Sequence, residues 1–315
     1  MANNGVTYKY LGKSGLKVST ICLGTMTFGH KENYAVQCDE EQSHAILDKF
    51  VEMGGNFIDT ADVYTGGSSE KIIGNWLSRQ KDRSRLILAT KAHAWDDGTP
   101  IEETFTALND LVSMGKVRYI GVSNVTGWQL QKIVDMCNYR QLSPITTLQQ
   151  QWSLLTRETE YELVDVCQNE GVGVLPWSPL KGGWLSGKIQ RDGELEKGSR
   201  IAWTSEDPAR LVQSHPTFDQ FNNDRVWKLL DTIKTIGSSH GKSVAQVSLK
   251  WLLEKDVVSS VVIGAKNLKQ LEDNMGAGAE WNLSKEDMNI LNDLSMPNIP
   301  YPYEMVSRVN KTRKR

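Results

Sequence analysis

Short β-rich runs alternate with longer helical segments along most of this chain, and this alternation is the feature that most constrains its fold. Each β-rich run is mainly apolar, and the segment after it carries apolar residues at helical spacing. The pattern predicts a parallel sheet, because parallel neighbours need a crossover connection, usually a helix. Seven strands are predicted, at residues 19–25, 56–62, 85–91, 117–124, 145–151, 171–179 and 257–264.

Repeats spread over about 300 residues without a linker favour one α/β barrel domain. The prediction is a (β/α)8 barrel of the TIM type across residues 1–315, with residues 296–315 as a C-terminal tail. A Rossmann sheet needs GxGxxG between a strand and a helix, whereas the nearest glycine-rich string, KGGWLSGK (181–188), lies in a polar stretch. Because a closed barrel has eight strands, a count of seven indicates that this barrel is shortened by one βα unit.

Composition and charge exclude several classes of protein. The formal net charge of -2 creates no overall attraction for nucleic acid or anionic membrane. No apolar run is long enough to cross a bilayer, and no His/Cys/Asp cluster has metal-site spacing. With no signal-peptide pattern at the start, we expect a cytoplasmic protein with free thiols and no metal, nucleic-acid or membrane partner. The four cysteines are scattered, at Cys22, Cys38, Cys137 and Cys167.

Polar and reactive side chains collect where the predicted strands end, which is where barrels of this type place their active sites. These residues are Gly24, Thr25, Met26, Asp59, Tyr64, Lys91, His93, Ser123, Asn124, Gln149, Trp177, Ser178, Gly264, Ala265 and Lys266. A lysine ammonium paired with a carboxylate can lower the pKa of a nearby tyrosine, so that its hydroxyl donates a proton near neutral pH. The set therefore predicts acid–base chemistry.

Several motifs, taken in order, resemble the aldo-keto reductases. They are FIDTADVY (57–64), ATK (89–91), GKVRYIGVSN (115–124), LQQQWSLLTR (148–157) and IGAKNLKQLEDN (263–274). The segment YLGKSGLKVSTICLGTMTFG (10–29) is similar to the part of the family that forms a hairpin under the barrel. The resemblance runs from about residue 8 to about residue 295. It is strongest to the branch that includes bacterial reductases and potassium-channel β-subunits.

This resemblance implies an NADPH-dependent reductase that converts small aldehydes or ketones into alcohols by hydride transfer. It implies that Tyr64 is the general acid and that Asp59 and Lys91 tune its pKa. His93 would orient the substrate or stabilise an oxyanion. The resemblance names neither the individual carbonyl compound nor an oligomeric state.

The resemblance also implies the NADP-binding residues. Ser123, Asn124 and Gln149 would hold the nicotinamide carboxamide, and Trp177 would stack on the nicotinamide ring. The loop that begins Ser178, Pro179, Leu180 would cover the pyrophosphate. In the segment from Gly264 and Ala265 onward, Lys266 and Gln270 would face the 2′-phosphate, and Asp273 and Asn274 the adenine. Gly24, Thr25 and Met26 complete the predicted cofactor set. A cation at Lys266 favours NADP over NAD.

Taken singly, these residue types have ordinary explanations. Asp59 could cap a helix or form an ion pair, and Lys91 or Lys266 could be a solvated lysine. Trp177 could be a core residue, and His93 a loop residue. The motifs around them, rather than the residue types, point to a site.

One departure from the family concerns Lys91 and His93. In the family these residues end adjacent strands, about 4.8 Å apart, whereas here only Ala92 separates them. On one strand both could face the same side, with Cα atoms about 6.5 Å apart. A helix and a strand are therefore expected to be absent between them. Two alternatives to an active reductase follow: a catalytically impaired NADP-binding or regulatory protein, and a deletion or splice variant of a reductase.

Overall fold

A computed structural model describes residues 5–30, 37–92, 95–207 and 216–310. Its strands are β1 (Tyr8–Tyr10), β2 (Lys17–Ser19), β3 (Ile21–Gly24), β4 (Phe57–Asp59), β5 (Ile87–Ala89), β6 (Ile120–Ser123), β7 (Ile145–Gln151), β8 (Gly173–Trp177) and β9 (Val261–Ile263). Strands β3 to β9 correspond to the seven predicted strands, and each lies within its predicted range. The remaining two form an N-terminal hairpin.

Helices follow the strands as the sequence pattern predicts. They are α1 (Glu40–Glu52), α2 (Ser68–Leu77), α3 (Ile101–Ser113), α4 (Gly127–Tyr139), α5 (Leu163–Glu170), α6 (Arg200–Glu206), α7 (Phe218–Phe221), α8 (Asp224–His240), α9 (Val244–Leu253), α10 (Leu268–Met275), α11 (Lys285–Ser295) and α12 (Tyr303–Asn310). The last of these lies in the segment predicted as a C-terminal tail. Side-chain caps define several starts: the hydroxyl of Ser243 accepts from the backbone N–H of Gln246 at α9.

The strands run parallel, in the order β5-β4-β3-β9 and β6-β7-β8. A parallel bridge between Val174 and Val258 joins β8 to the segment that leads into β9. Together these contacts arrange seven strands around one axis. Among the described residues no ladder joins β5 to β6, so the barrel is open between them.

The hairpin β1–β2 lies at the N-terminal ends of the strands. Leu11 and Val18 pack with Phe57, Leu175 and other interior side chains of the barrel. The turn approaches the backbone closely, and Gly12 has a left-handed φ of 55°. A Cβ at this position would lie 2.6 Å from the carbonyl oxygen of Thr146, so only glycine fits there. The predicted hairpin under the barrel is present.

The opening changes the burial of the strands beside it. Ile58 on β4 and Leu88 on β5 are partners in the ladder. Ile58 is 1% exposed and Leu88 is 36% exposed. On α3, which follows the opening, Phe105 is the buried residue. An outward-facing strand residue normally packs under a helix, and no described helix gives Leu88 the cover that Ile58 has.

Candidate active site

A buried ion pair forms where β4 and β5 end. Asp59 is the last residue of β4 and is 1% exposed, and Lys91 follows β5 by two residues. Lys91 Nζ lies 2.7 Å from Asp59 Oδ2 and donates to the carbonyl oxygen of Thr60 at 2.5 Å. Two parallel strands that are neighbours in the sheet bring these residues together, because their carboxyl ends lie at the same edge.

The second carboxylate oxygen of Asp59 has its own donor. Gln149 Nε2, on β7, lies 2.8 Å from Asp59 Oδ1. Gln149 is buried as well, so its amide reaches the carboxylate across the interior of the barrel mouth. Sequence reasoning assigned Gln149 to the nicotinamide carboxamide, and its contact with Asp59 was not anticipated.

Burial and charge act in opposite directions on the pKa values of this pair. Burial raises the pKa of Asp59, while the charge of Lys91 and the hydrogen bonds from Lys91 and Gln149 oppose that rise. For Lys91, burial lowers the pKa, but the charges of Asp59 and Tyr64 and the hydrogen bonds to them raise it overall. Lys91 is therefore held as an ammonium at neutral pH.

Tyr64 lies beside this ammonium. It begins a short 3-10 turn, Tyr64–Gly67, between β4 and α2, and it is half-buried. Lys91 Nζ lies 4.9 Å from the centroid of its ring. The structure thus brings together three of the four predicted catalytic residues. His93 lies outside the described residues, and its role stays a prediction.

Thr25 supports the end of β4. Its backbone N–H and its hydroxyl both donate to the carbonyl oxygen of Asp59, at 2.9 Å and 3.0 Å. Its hydroxyl also lies 2.8 Å from the hydroxyl of Ser69, which in turn lies 3.0 Å from that of Thr60. Ser69 is fully buried, and sequence patterns presented it only as part of a helix start. Gly24 precedes this network on β3, and the half-buried Met26 follows it.

A second group of predicted residues lies at the ends of β6, β7 and β8. Ser123 is the register partner of Gln149 on β7. Asn124 follows with a left-handed φ of 56°, and its side-chain oxygen accepts from Trp177 Nε1 at 3.0 Å. The indole of Trp177 is therefore held in a fixed orientation at the barrel mouth. The arrangement places the predicted carboxamide and ring-stacking residues side by side.

The loop after β8 has a backbone suited to an anion. Ser178 and Lys181 have left-handed φ values of 51° and 46°, and Gly182 and Gly183 follow with positive φ. Successive turns of this kind direct backbone N–H groups toward one point, as in known phosphate sites. Ser178 Oγ is buried and has no hydrogen-bond partner among the described residues. Pro179 is buried and Leu180 half-buried. The loop therefore fits the predicted pyrophosphate.

The segment after β9 is held by its own hydrogen bonds. Gln270 Oε1 accepts from the backbone N–H of Lys266 at 3.0 Å, and Asn274 Nδ2 donates to the carbonyl oxygen of Gly264 at 3.3 Å. Ala265 between them is buried. Asp273 accepts from the hydroxyl of Ser243 at 3.0 Å, a contact with the start of α9.

One contact of Lys266 was not anticipated. Lys266 Nζ lies 3.7 Å from Glu196 Oε1, and Lys188 Nζ lies 3.3 Å from Glu196 Oε2. A carboxylate thus lies between two ammonium groups in the predicted 2′-phosphate region. Glu196 carries no motif, and only the folded loop reveals it.

Two searches of the described residues returned nothing. They contain no group of three or more histidine, cysteine or acidic side chains that could hold a metal ion. None of the helices in the described ranges is long and apolar enough to cross a membrane.

Comparison with known proteins gives the family. The model of the aldo/keto reductase family matches residues 20–93 and 92–295. The uncharacterized oxidoreductase YrpG of Bacillus subtilis is 31% identical over 335 residues, covering 91% of this chain and 95% of that protein. Norsolorinic acid reductase stcV of Emericella nidulans is 29% identical, covering 92% of this chain and 81% of its own. Aryl-alcohol dehydrogenase (NADP(+)) of Phanerodontia chrysosporium is 28% identical, covering 92% and 86%.

The alignments also bear on the short connection after Lys91. The two segments matched by the family model meet at residues 92–93. The Bacillus alignment extends over 335 residues, whereas 91% of the 315 residues here is about 287, so about 48 residues of that relative face gaps in this chain. That length is enough for one helix and one strand. By its family match and its parallel strands, this chain is an enzyme of the aldo/keto reductase family, with the α/β barrel fold of that family.

Proposed function

We propose that this protein reduces aldehydes or ketones to alcohols with NADPH, and that Tyr64 donates the proton to the carbonyl oxygen. One observation carries the proposal: the Lys91 ammonium lies 2.7 Å from the buried Asp59 carboxylate and 4.9 Å from the Tyr64 ring. A cation fixed beside a phenol favours release of the phenolic proton. This is the requirement for a tyrosine that acts as an acid near neutral pH.

Each residue of the trio has a separate task. NADPH, when bound, supplies the hydride for the carbonyl carbon. Lys91 uses two of its three N–H donors on Asp59 and on the carbonyl of Thr60, which leaves the third for the Tyr64 hydroxyl. Asp59, held by Gln149, keeps the ammonium in place. Tyr64 then gives its proton to the oxygen that becomes the alcohol.

The proposed cofactor site follows the barrel mouth. Asn124 and Trp177 would hold the nicotinamide end, and the loop from Ser178 would bind the pyrophosphate. Lys266 would give the preference for NADPH, because the 2′-phosphate needs a positive partner. The name of the Phanerodontia relative, which specifies NADP(+), supports this choice.

The names of the relatives also support a class of substrate. One is an aryl-alcohol dehydrogenase and another a norsolorinic acid reductase. We propose small carbonyl compounds as substrates, with aryl aldehydes as the first to assay. Four free, buried cysteines suit a reducing compartment, and we propose the cytoplasm.

The experiment measures NADPH oxidation with benzaldehyde for the wild type and for Tyr64→Phe. Loss of the acid is expected to lower the rate by at least about 100-fold. NADPH should still raise the unfolding temperature of the variant, since a ligand at about 100 times its Kd adds roughly 2.7 kcal/mol to the folded state. Tyr139→Phe, at the exposed end of α4, is the control and should match the wild type. An unchanged rate in Tyr64→Phe would refute the role of this residue.

The open barrel favours a second candidate. Because β5 and β6 are unpaired and Lys91 extends from β5, the catalytic group has a less rigid support than in a closed barrel. Displacements of about 1 Å can cost about 100-fold in rate. In that case the protein binds NADPH with little turnover. A wild-type protein that NADPH stabilises, but that does not oxidise NADPH with any of a panel of aldehydes and ketones, would select this candidate.

A further inference from the structure

Two tryptophans meet above the opening in the barrel. Trp95 follows Lys91 by four residues, and Trp128 follows Asn124 by four residues. Their ring centroids lie 5.6 Å apart and their planes are inclined at 80°, an edge-to-face contact. The two indoles therefore connect the segment after β5 with the segment after β6, the two strands that have no ladder between them.

The two rings differ in exposure. Trp95 is half-buried against the core, and its Nε1 donates to Asp97 Oδ1 at 2.9 Å. Trp128, at the start of α4, is 58% exposed. One indole is thus anchored, and it supports a second indole with a free surface. An exposed aromatic ring held by a rigid partner can bind a further ring at little entropic cost.

The location connects this pair to the proposed site. Lys91 contacts Asp59 and Tyr64 on one side of the opening. Asn124 contacts Trp177 on the other side. The tryptophans are the next large side chains along both connections after these site residues, and they lie at the same end of the barrel.

We propose that the exposed face of Trp128, supported by Trp95, binds the aromatic ring of an aryl carbonyl substrate. This inference rests on the proposed function and names the residue that makes the enzyme prefer aryl over saturated substrates. An aryl ring is attracted to an indole through its quadrupole as well as by burial of apolar area. A saturated ring of the same size gains only from the burial.

The test compares benzaldehyde with cyclohexanecarbaldehyde, which have the same number of carbon atoms in the ring. Trp128→Leu keeps an apolar side chain and removes the aromatic one. We expect kcat/KM for benzaldehyde to fall about three- to tenfold, mainly through KM, with cyclohexanecarbaldehyde within about twofold. Trp128→Phe should restore most of the preference. Tyr139→Leu, at the far end of α4 and 89% exposed, is the matched control and should change neither substrate.

Equal loss for both substrates in Trp128→Leu, or an unchanged ratio, would overturn the inference. A binding measurement separates this result from failure of the proposed function. Saturation-transfer NMR of benzaldehyde with the cofactor-free protein should give a ring signal that weakens in Trp128→Leu and persists in Tyr139→Leu. If the wild type does not turn over either aldehyde, the reductase proposal fails, and the NMR comparison alone decides the role of Trp128.

Discussion

The side-chain amide of Gln149 donates to Asp59 at 2.8 Å, on the carboxylate oxygen that Lys91 does not contact. Both residues are buried, so the amide is the protein donor that complements Lys91 in satisfying this carboxylate. A residue that resemblance assigns to the cofactor therefore also supports the acid–base set. The contact spans two strands that are not neighbours in the sheet.

Replacing Gln149 with leucine should destabilise the protein. The substitution removes a hydrogen bond to a buried carboxylate, and bonds to charged groups contribute about 1.5–3 kcal/mol. We expect the free energy of unfolding, measured with urea, to fall by about 2 kcal/mol. The control is Gln150→Leu, because Gln150 Oε1 is buried without a partner among the described residues. A similar loss in both variants would contradict a specific role for the Gln149 amide.

Two substitutions near the predicted 2′-phosphate should act in opposite directions. Lys266→Ala should weaken NADPH binding about tenfold and leave NADH binding unchanged, because only NADPH carries the extra phosphate. Glu196→Gln should strengthen NADPH binding, since it removes the carboxylate that lies 3.7 Å from Lys266 Nζ.

Both effects are measured by titrating the fluorescence of the reduced cofactor. Lys269→Ala is the control for the loss of positive charge, because Lys269 is exposed on the same segment. If Lys266→Ala weakened NADH and NADPH equally, Lys266 would not be the phosphate partner.

The stability of the protein should depend on the titration of Lys250. Burial lowers the pKa of Lys250 to about 8, and its Nζ donates to the carbonyl of Ala279 at 3.1 Å and lies 5.0 Å from the ring of Trp281. Because the folded-state pKa lies below the model value of 10.5, the unfolded chain binds this proton more tightly. The Lys250 contribution to stability therefore rises as pH increases from about 8 to about 10.5.

Urea unfolding of the wild type and of Lys250→Met at pH 7.5 and pH 10 tests this expectation. The wild type should gain about 2 kcal/mol relative to the variant over this interval, from a pKa shift of about two units. Lys269→Met controls for loss of an exposed lysine and should follow the wild type. Parallel pH profiles for the wild type and Lys250→Met would show that Lys250 titrates normally.

The unpaired strands should exchange their amide hydrogens faster than paired ones. The backbone N–H of Ile87 donates to the carbonyl of Asn56, whereas Leu88 faces the other side of β5, where no described strand lies. We expect peptides covering β5 to exchange at least about tenfold faster than those covering β4 or β7. Hydrogen exchange with mass spectrometry measures this rate. Equal protection at low and high protein concentration would show that β5 is paired within the chain.

The sequence alone determined the elements and the inventory of the site. All seven barrel strands were predicted, because apolar runs and helical periodicity are local properties that the structure preserves. The count of seven and the single residue between Lys91 and His93 already indicated a missing unit, and the structure shows no ladder between β5 and β6 in its described part. The motifs also identified Asp59, Tyr64 and Lys91 before their contacts were known.

Only the tertiary structure decided how those residues are used. The Gln149–Asp59 bond, the support that Ser69 gives to Thr25, and the position of Glu196 beside Lys266 join segments far apart in the chain. The edge-to-face contact of Trp95 with Trp128 likewise depends on where two separate strands end. Such contacts carry no local signal, because hydrogen bonds and ring contacts depend on distances that only the packing of strands and helices sets.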